Sequence, residues 1–191
     1  MAKIIVIEGR DSLGKTAQVQ RLRNTLVTFG KKCVVVKSPY NDGLTYRLIY
    51  WMLRTGWARK LPNLFQVIHF VNKVYFQTFK LPKLLQRNDY VILDRWVASM
   101  WAYGLADKAN QVFTTFLVRL IKEPDVTIVM FGRPFDRQQE KDSYEADNKY
   151  QNVVQSYYRV WVKEHKRCFV VDANQDIEVV SRKIFNRILG E

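Results

Sequence analysis

Eight consecutive residues near the start of the chain, Gly9-Arg10-Asp11-Ser12-Leu13-Gly14-Lys15-Thr16, follow the pattern G-x-x-x-x-G-K-T. Glycines at this spacing let the backbone wrap an anion, so that successive N–H groups and the start of the next helix point at phosphate oxygens. Lys15 then neutralises the β- and γ-phosphates of a nucleotide, and Thr16 offers its hydroxyl to Mg²⁺. Nucleoside triphosphate binding is the firmest expectation. A second chemical feature is Val91-Ile92-Leu93-Asp94-Arg95-Trp96. An apolar strand that ends in a carboxylate can set that acid beside Mg²⁺ at the edge of a sheet, which makes Asp94 a metal candidate alongside Thr16. Strands also end in Asp for turn reasons. The Arg95 that follows favours the functional reading.

These groups need elements to hold them. Lys3-Ile4-Ile5-Val6-Ile7-Glu8 reads as a buried strand running straight into the glycine loop, and Val19, Leu22, Leu26 and Phe29 recur at helical spacing over 15–29 until Gly30. Cys33-Val34-Val35-Val36 is a second strand, and a turn cluster at 38–43 leads to a helix near 44–53 and helical material over 62–87. Strands at 89–94, 126–131 and 168–171 alternate with helices near 97–106, 109–121 and 149–164, and a terminal helix starts at Asp176. The polar stretch 132–148 suits a loop or lid. Continuous apolar strands separated by helices predict an α/β three-layer sandwich of the P-loop type, a five-stranded parallel sheet with helices on both faces.

A chain of 191 residues suits one domain, 1–191. No apolar run is long enough to cross a bilayer and the first strand begins at once, so a cytoplasmic protein without membrane contact is expected. Cys33, Cys168, His69 and His165 form no metal-binding or disulfide pattern, and the two cysteines read as reduced core thiols. The net charge of +13 favours an anionic ligand. The basic residues are dispersed, among them Arg21, Arg23, Lys31, Lys32, Arg54, Arg59 and Lys60, and carry no signature of a dedicated nucleic-acid module.

Taken in order, several motifs resemble the thymidylate kinase family over nearly the whole chain. The loop with Asp11 two residues after Gly9, Ser38-Pro39 after the second strand, and Asp94-Arg95-Trp96 followed by Ser99 and Tyr103 all match the family's spacing. Asn72-Lys73 resembles an Asn-Arg pair on the helix lining the base pocket, Tyr144-Glu145 and Tyr150-Gln151 resemble the segment after the lid, and Val171-Asp172-Ala173-Asn174 resembles the turn bordering the donor adenine. The resemblance implies MgATP as donor and a deoxynucleoside monophosphate, dTMP first, as acceptor. It implies that Asp11 meets the substrate sugar, that Arg95 grips the acceptor phosphate, and that Pro39, His69 or Phe70, Lys73, Ser99, Tyr103, Tyr144 and Gln151 line the substrate site. It also implies that Asp172, Ala173 and Asn174 border the adenine, and that the enzyme is a homodimer, for which the apolar helices over 44–79 offer a surface.

Four departures stand out. Ser12 and Asn41 occupy places where family members often carry arginine, and Ser143 stands where the lid has one. A cation for the transferring phosphoryl is therefore expected from Arg133, Arg137 or Lys141. Lys73 replaces an arginine that often meets thymine, and the two are not interchangeable in planar contacts, which bears on base selectivity. Two other readings remain at this stage. A deoxynucleoside kinase would want a carboxylate base after the second strand, where only Asp42 is near. A basic P-loop ATPase acting on nucleic acid would account for the charge but has no need of the acceptor-site spacing.

Overall fold

The computed structural model describes residues 2–134 and 147–190. The elements are β1 (Lys3–Gly9), α1 (Lys15–Thr28), β2 (Cys33–Lys37), α2 (Gly43–Thr55), α3 (Trp57–Lys60) and α4 (Pro62–Tyr75). A π-helical turn (Phe76–Lys80), α5 (Leu81–Arg87), β3 (Tyr90–Asp94), α6 (Val97–Ala106) and α7 (Gln111–Arg119) follow, then β4 (Val126–Phe131), α8 (Asn148–Glu164), β5 (Cys168–Asp172) and α9 (Ile177–Leu189). The sheet has the order β2-β3-β1-β4-β5, with every pairing parallel. This is the α/β sandwich expected from the sequence.

Its layers follow from alternation along the strands. In β1, Ile5 and Ile7 face one side and pack with Val19, Leu22 and Leu26 of α1 and Val180 and Ile184 of α9. Ile4 and Val6 face the other side and join Trp101 of α6 and Tyr158 and Trp161 of α8. Both faces of the central strands are therefore covered, as near-continuous apolar strands require. A smaller cluster, Ile49, Met52, Ala58, Phe65 and Ile68, ties α2 and α3 to α4 beyond the sheet. It forms the outer wall of the cavity described below.

The helical stretch read as 62–87 is three pieces, because the π turn breaks the hydrogen-bond register between α4 and α5. The last helix begins one residue after Asp176, whose carboxylate caps it by accepting from Glu178 N at 2.8 Å. Cys33 and Cys168 are free and half-buried beside the core. Among the described residues, no helix is long and apolar enough to cross a membrane.

Register brings the chemistry to one edge. Lys37 pairs with Asp94, and Asp94 with Ile7, so β2 and β3 end level with the last residues of β1. The connections leaving these strands at their carboxyl ends converge where parallel α/β sheets bind ligands.

Candidate active site

Between β1 and α1 the chain turns through a loop that only glycine can begin. Gly9 has φ +137°, and a Cβ there would sit 2.5 Å from the backbone oxygen of Met130 in β4. Inside the loop, Lys15 is buried and donates to the carbonyl of Arg10, with Asp11 Oδ1 4.0 Å away. Burial, reinforced by the nearby Arg95 charge and opposed by Asp11, Asp94 and Glu8, lowers the Lys15 ammonium to about 7. The cation thus lacks sufficient anionic company in the free chain, and bound phosphate would supply it. Thr16 Oγ1 donates to Asp94 Oδ2 at 3.0 Å, bringing together the two residues expected to serve the metal.

Arg10 belongs to the loop by sequence, but its guanidinium faces α8, donating to Asn152 Oδ1 at 2.8 Å and Asn148 Oδ1 at 3.4 Å. What Arg10 offers a phosphate is therefore backbone.

Arg95 follows β3 at φ +71°, a conformation rare for a residue with a side chain, and a dense polar network surrounds it. Nη1 donates to Gly9 O at 3.0 Å and Ser99 Oγ at 3.1 Å; Nη2 bonds Asp11 Oδ1 and reaches Tyr103 OH at 3.3 Å. Asp11 in turn accepts from Tyr103 OH at 2.6 Å and Gln151 Nε2 at 2.8 Å. Burial alone would raise the Asp11 carboxyl, but Arg95, Lys15 and the hydrogen bonds from Tyr103 and Gln151 prevail and hold it at about 2. Burial also works against the Arg95 charge, and Asp11 overcomes it.

Beneath this pair lies Glu8, fully buried in β1. It accepts from Trp96 N at 2.7 Å, Tyr158 OH at 3.0 Å and Ser99 Oγ. Sequence reasoning passed over Glu8 and Tyr158. The available signal was a lone acid inside an otherwise apolar strand, since such residues are almost never fully buried without partners.

Arg95, Ser99 and Tyr103 line a cavity of about 220 Å³ together with Asp11, Pro39, His69 and Lys73. Gln151 stands behind Asp11 rather than on the wall. Phe70 is turned into the large core, and of the two phenylalanines on α4 it is Phe65 that lies on the wall. Lys73 donates to Ser38 Oγ at 2.6 Å and lies 5.0 Å over the Trp96 ring, so its head group serves the wall rather than the space inside. Burial, against the pull of Glu8, lowers Lys73 to about 8.

The glycine loop encloses a second, polar cavity with Lys15, Thr16 and Asp94. Asp11, Lys37 and Arg95 line both spaces. Lys37, at the end of β2, is exposed, and among the described residues it has neither hydrogen bond nor ion pair. Its position on the sheet edge beside Asp94 could have been inferred only once strand order was known.

A third cavity runs from Gly14 and Gln18 past Ala173 to Gln175, Ile177 and Val180. Of the turn 172–174, Ala173 lines it. Asp172 instead fixes the turn by accepting from Asn174 N at 2.9 Å, and Asn174 Oδ1 accepts from Arg133 N at 2.8 Å. Arg133 is exposed. Arg137, Lys141 and Tyr144 lie outside the described residues.

Among the described residues, no group of three or more His, Cys, Asp or Glu stands ready for a metal. Thr16 with Asp94 nevertheless fits Mg²⁺, a cation commonly bound by one or two protein oxygens plus phosphate and water.

The sequence profile of a family described as thymidylate kinase matches residues 7–184. The chain is 25% identical to a thymidylate kinase of Prochlorococcus marinus, over 98% of this chain and 96% of that one. It is 27% identical to one of Nitrosospira multiformis, over 95% and 94%, and 31% identical to one of Neorickettsia sennetsu, over 67% and 65%. A solved thymidylate kinase from Candida albicans superimposes with a TM-score of 0.81 at 20% identity, covering 99% of this chain and 92% of that chain, a likeness of fold.

Proposed function

Because this chain belongs to the thymidylate kinase family, we propose that it transfers the γ-phosphoryl of MgATP to dTMP, giving dTDP and ADP, with the acceptor phosphate held by Arg95. The observation that carries this assignment is the wall shared by two cavities. Asp11, Lys37 and Arg95 stand between the glycine loop and the cavity lined by Ser99 and Tyr103, at the place where a donor phosphate and an acceptor phosphate would meet.

In this reading, the backbone of 9–16 and Lys15 hold the donor phosphates, and Ala173, Gln175 and Ile177 border the adenine. Thr16 and Asp94 would hold Mg²⁺, which would supply positive charge against the negative charge that develops in the transfer. Asp11 orients Arg95, and Arg95 aligns the incoming phosphate. Lys37 is the cation that accompanies the moving phosphoryl, filling the place left by Ser12 and Asn41; Arg133 and Arg137 are further candidates from the lid. No general base is needed, because a phosphate monoester dianion is already a nucleophile. A hydroxyl acceptor would need one, and Asp42 is drawn away towards Lys80 Nζ at 3.1 Å and lines neither cavity.

A homodimer is part of the same proposal. Val71 of α4, Phe79 of the π turn and Phe113 and Phe116 of α7 are exposed apolar side chains, and α4 packs directly on α7. Such a surface suits a second copy.

ADP release with MgATP, measured against dTMP, thymidine and single-stranded DNA, tests the reaction. Turnover with dTMP alone is expected. Turnover only with thymidine or only with DNA would refute it.

A further inference from the structure

We propose that Gln66 is the specificity-determining residue for the acceptor base, its carboxamide pairing with the N3–H and O4 edge of thymine; this rests on the monophosphate-acceptor reading above. Gln66 lies on α4, is 2% exposed and lines the cavity that holds Arg95, Ser99 and Tyr103. Its Oε1 is shut off from solvent and has no hydrogen-bond partner among the described residues. Buried polar atoms are normally satisfied, and one that is not, on the wall of a cavity, calls for a ligand.

Most of the other polar side chains around this cavity are already committed, although Asp107 Oδ1, like Gln66 Oε1, has no hydrogen-bond partner among the described residues. Arg95, Asp11, Ser99 and Tyr103 bond one another, Lys73 bonds Ser38, and Asp107 faces Arg59 at 3.7 Å. Lys37 stands at the phosphate end. His69, one turn beyond Gln66, also has an Nδ1 without a partner among the described residues, and burial followed by the Lys73 charge pushes its imidazole down to about 3, which leaves it neutral. A single ring nitrogen offers one contact. A carboxamide offers a donor and an acceptor side by side, matching O4 and N3–H of thymine in one plane.

Placement agrees with the length of the substrate. Gly104 faces the Gln66 amide so closely that a Cβ there would lie 2.6 Å from Nε2 and 2.7 Å from Cδ. From Val97, at the start of α6 beside Arg95, to Gly104 the helix rises about 10 Å, roughly the reach from a 5′-phosphate to the far edge of a pyrimidine. Phe65 and Met100 supply apolar surface on the same walls. Gly104 thus leaves room for the amide at the base end, while Arg95 holds the other end.

The test compares kcat/KM for dTMP and N3-methyl-dTMP, which cannot donate from N3, in the wild type, Gln66→Leu and Gly104→Ala. The wild type is expected to favour dTMP by at least about tenfold, since a site built for a hydrogen bond rejects an analogue that lacks it. Gln66→Leu should bring that ratio close to one, chiefly through KM for dTMP. Gly104→Ala retains Gln66 but displaces its amide, so it should shrink the ratio even if Gln66→Leu does not fold. A purely structural role for Gln66 would leave the ratio unchanged in both variants, and that result would overturn the proposal. If the wild type did not phosphorylate dTMP at all, the reaction assigned above would fail, and this inference with it.

Discussion

The two ends of the acceptor cavity are built on opposite plans. At the phosphate end, Arg95 is saturated with partners, and Asp11, Tyr103, Ser99, Tyr158 and Glu8 tie its surroundings into one network. At the base end, Gln66 Oε1 and His69 Nδ1 are buried without hydrogen-bond partners among the described residues. The first end is preorganised, so its geometry is fixed before substrate arrives and little is lost in ordering it. The second is left incomplete until a base completes it. Phosphate is common to all nucleotides and can be met by a rigid cradle, whereas discrimination between bases needs groups whose hydrogen bonds only the right ligand supplies.

Lys37 sharpens this contrast, as a cation at the saturated end with no partner among the described residues. Removing it leaves the Arg95 network intact, so Lys37→Ala should lower kcat about a hundredfold while changing KM for dTMP little. Steady-state kinetics with saturating MgATP would read this, and a loss confined to KM would make Lys37 a binding residue only.

A smaller effect is expected from Lys15. Its ammonium, lowered to about 7 in the free chain, should regain its proton when a triphosphate arrives. ATP affinity is then flat below that pH and weakens above it, by up to about tenfold per pH unit, with proton uptake on binding. Calorimetry in buffers of different ionisation enthalpy would detect the uptake. The linkage to stability has the opposite slope. The folded-state value lies below the unfolded one, so the unfolded chain binds more protons above pH 7 and the free enzyme gains stability as pH rises through that window.

Much of the fold was legible because its signals are local. The strand leading into Gly9, the apolar run ending at Asp94 and the spacing of Val19, Leu22 and Leu26 each specify an element without reference to distant residues. The phosphate loop was readable for the same reason, since its function resides in contiguous backbone. The acceptor end was less so. Glu8 and Tyr158 are 150 positions apart and meet only because α8 packs behind β1. Phe65 and Phe70 share a helix, and periodicity alone could not say which would reach the cavity. Lys73 matched a family position, yet its head group was claimed by Ser38, a partner fixed by how β2 ends. Gln66 carried no sequence signal, because its significance lies in what it fails to touch.

The most direct test of a phosphate end that dominates binding is calorimetric titration of dTMP and thymidine into the wild type and Arg95→Ala. If Arg95 grips the acceptor phosphate, dTMP should bind the wild type about a thousandfold more tightly than thymidine, as two charge-assisted hydrogen bonds allow. Most of that preference should vanish in Arg95→Ala. Equal affinity for dTMP and thymidine in the wild type would contradict the assignment of this end to phosphate.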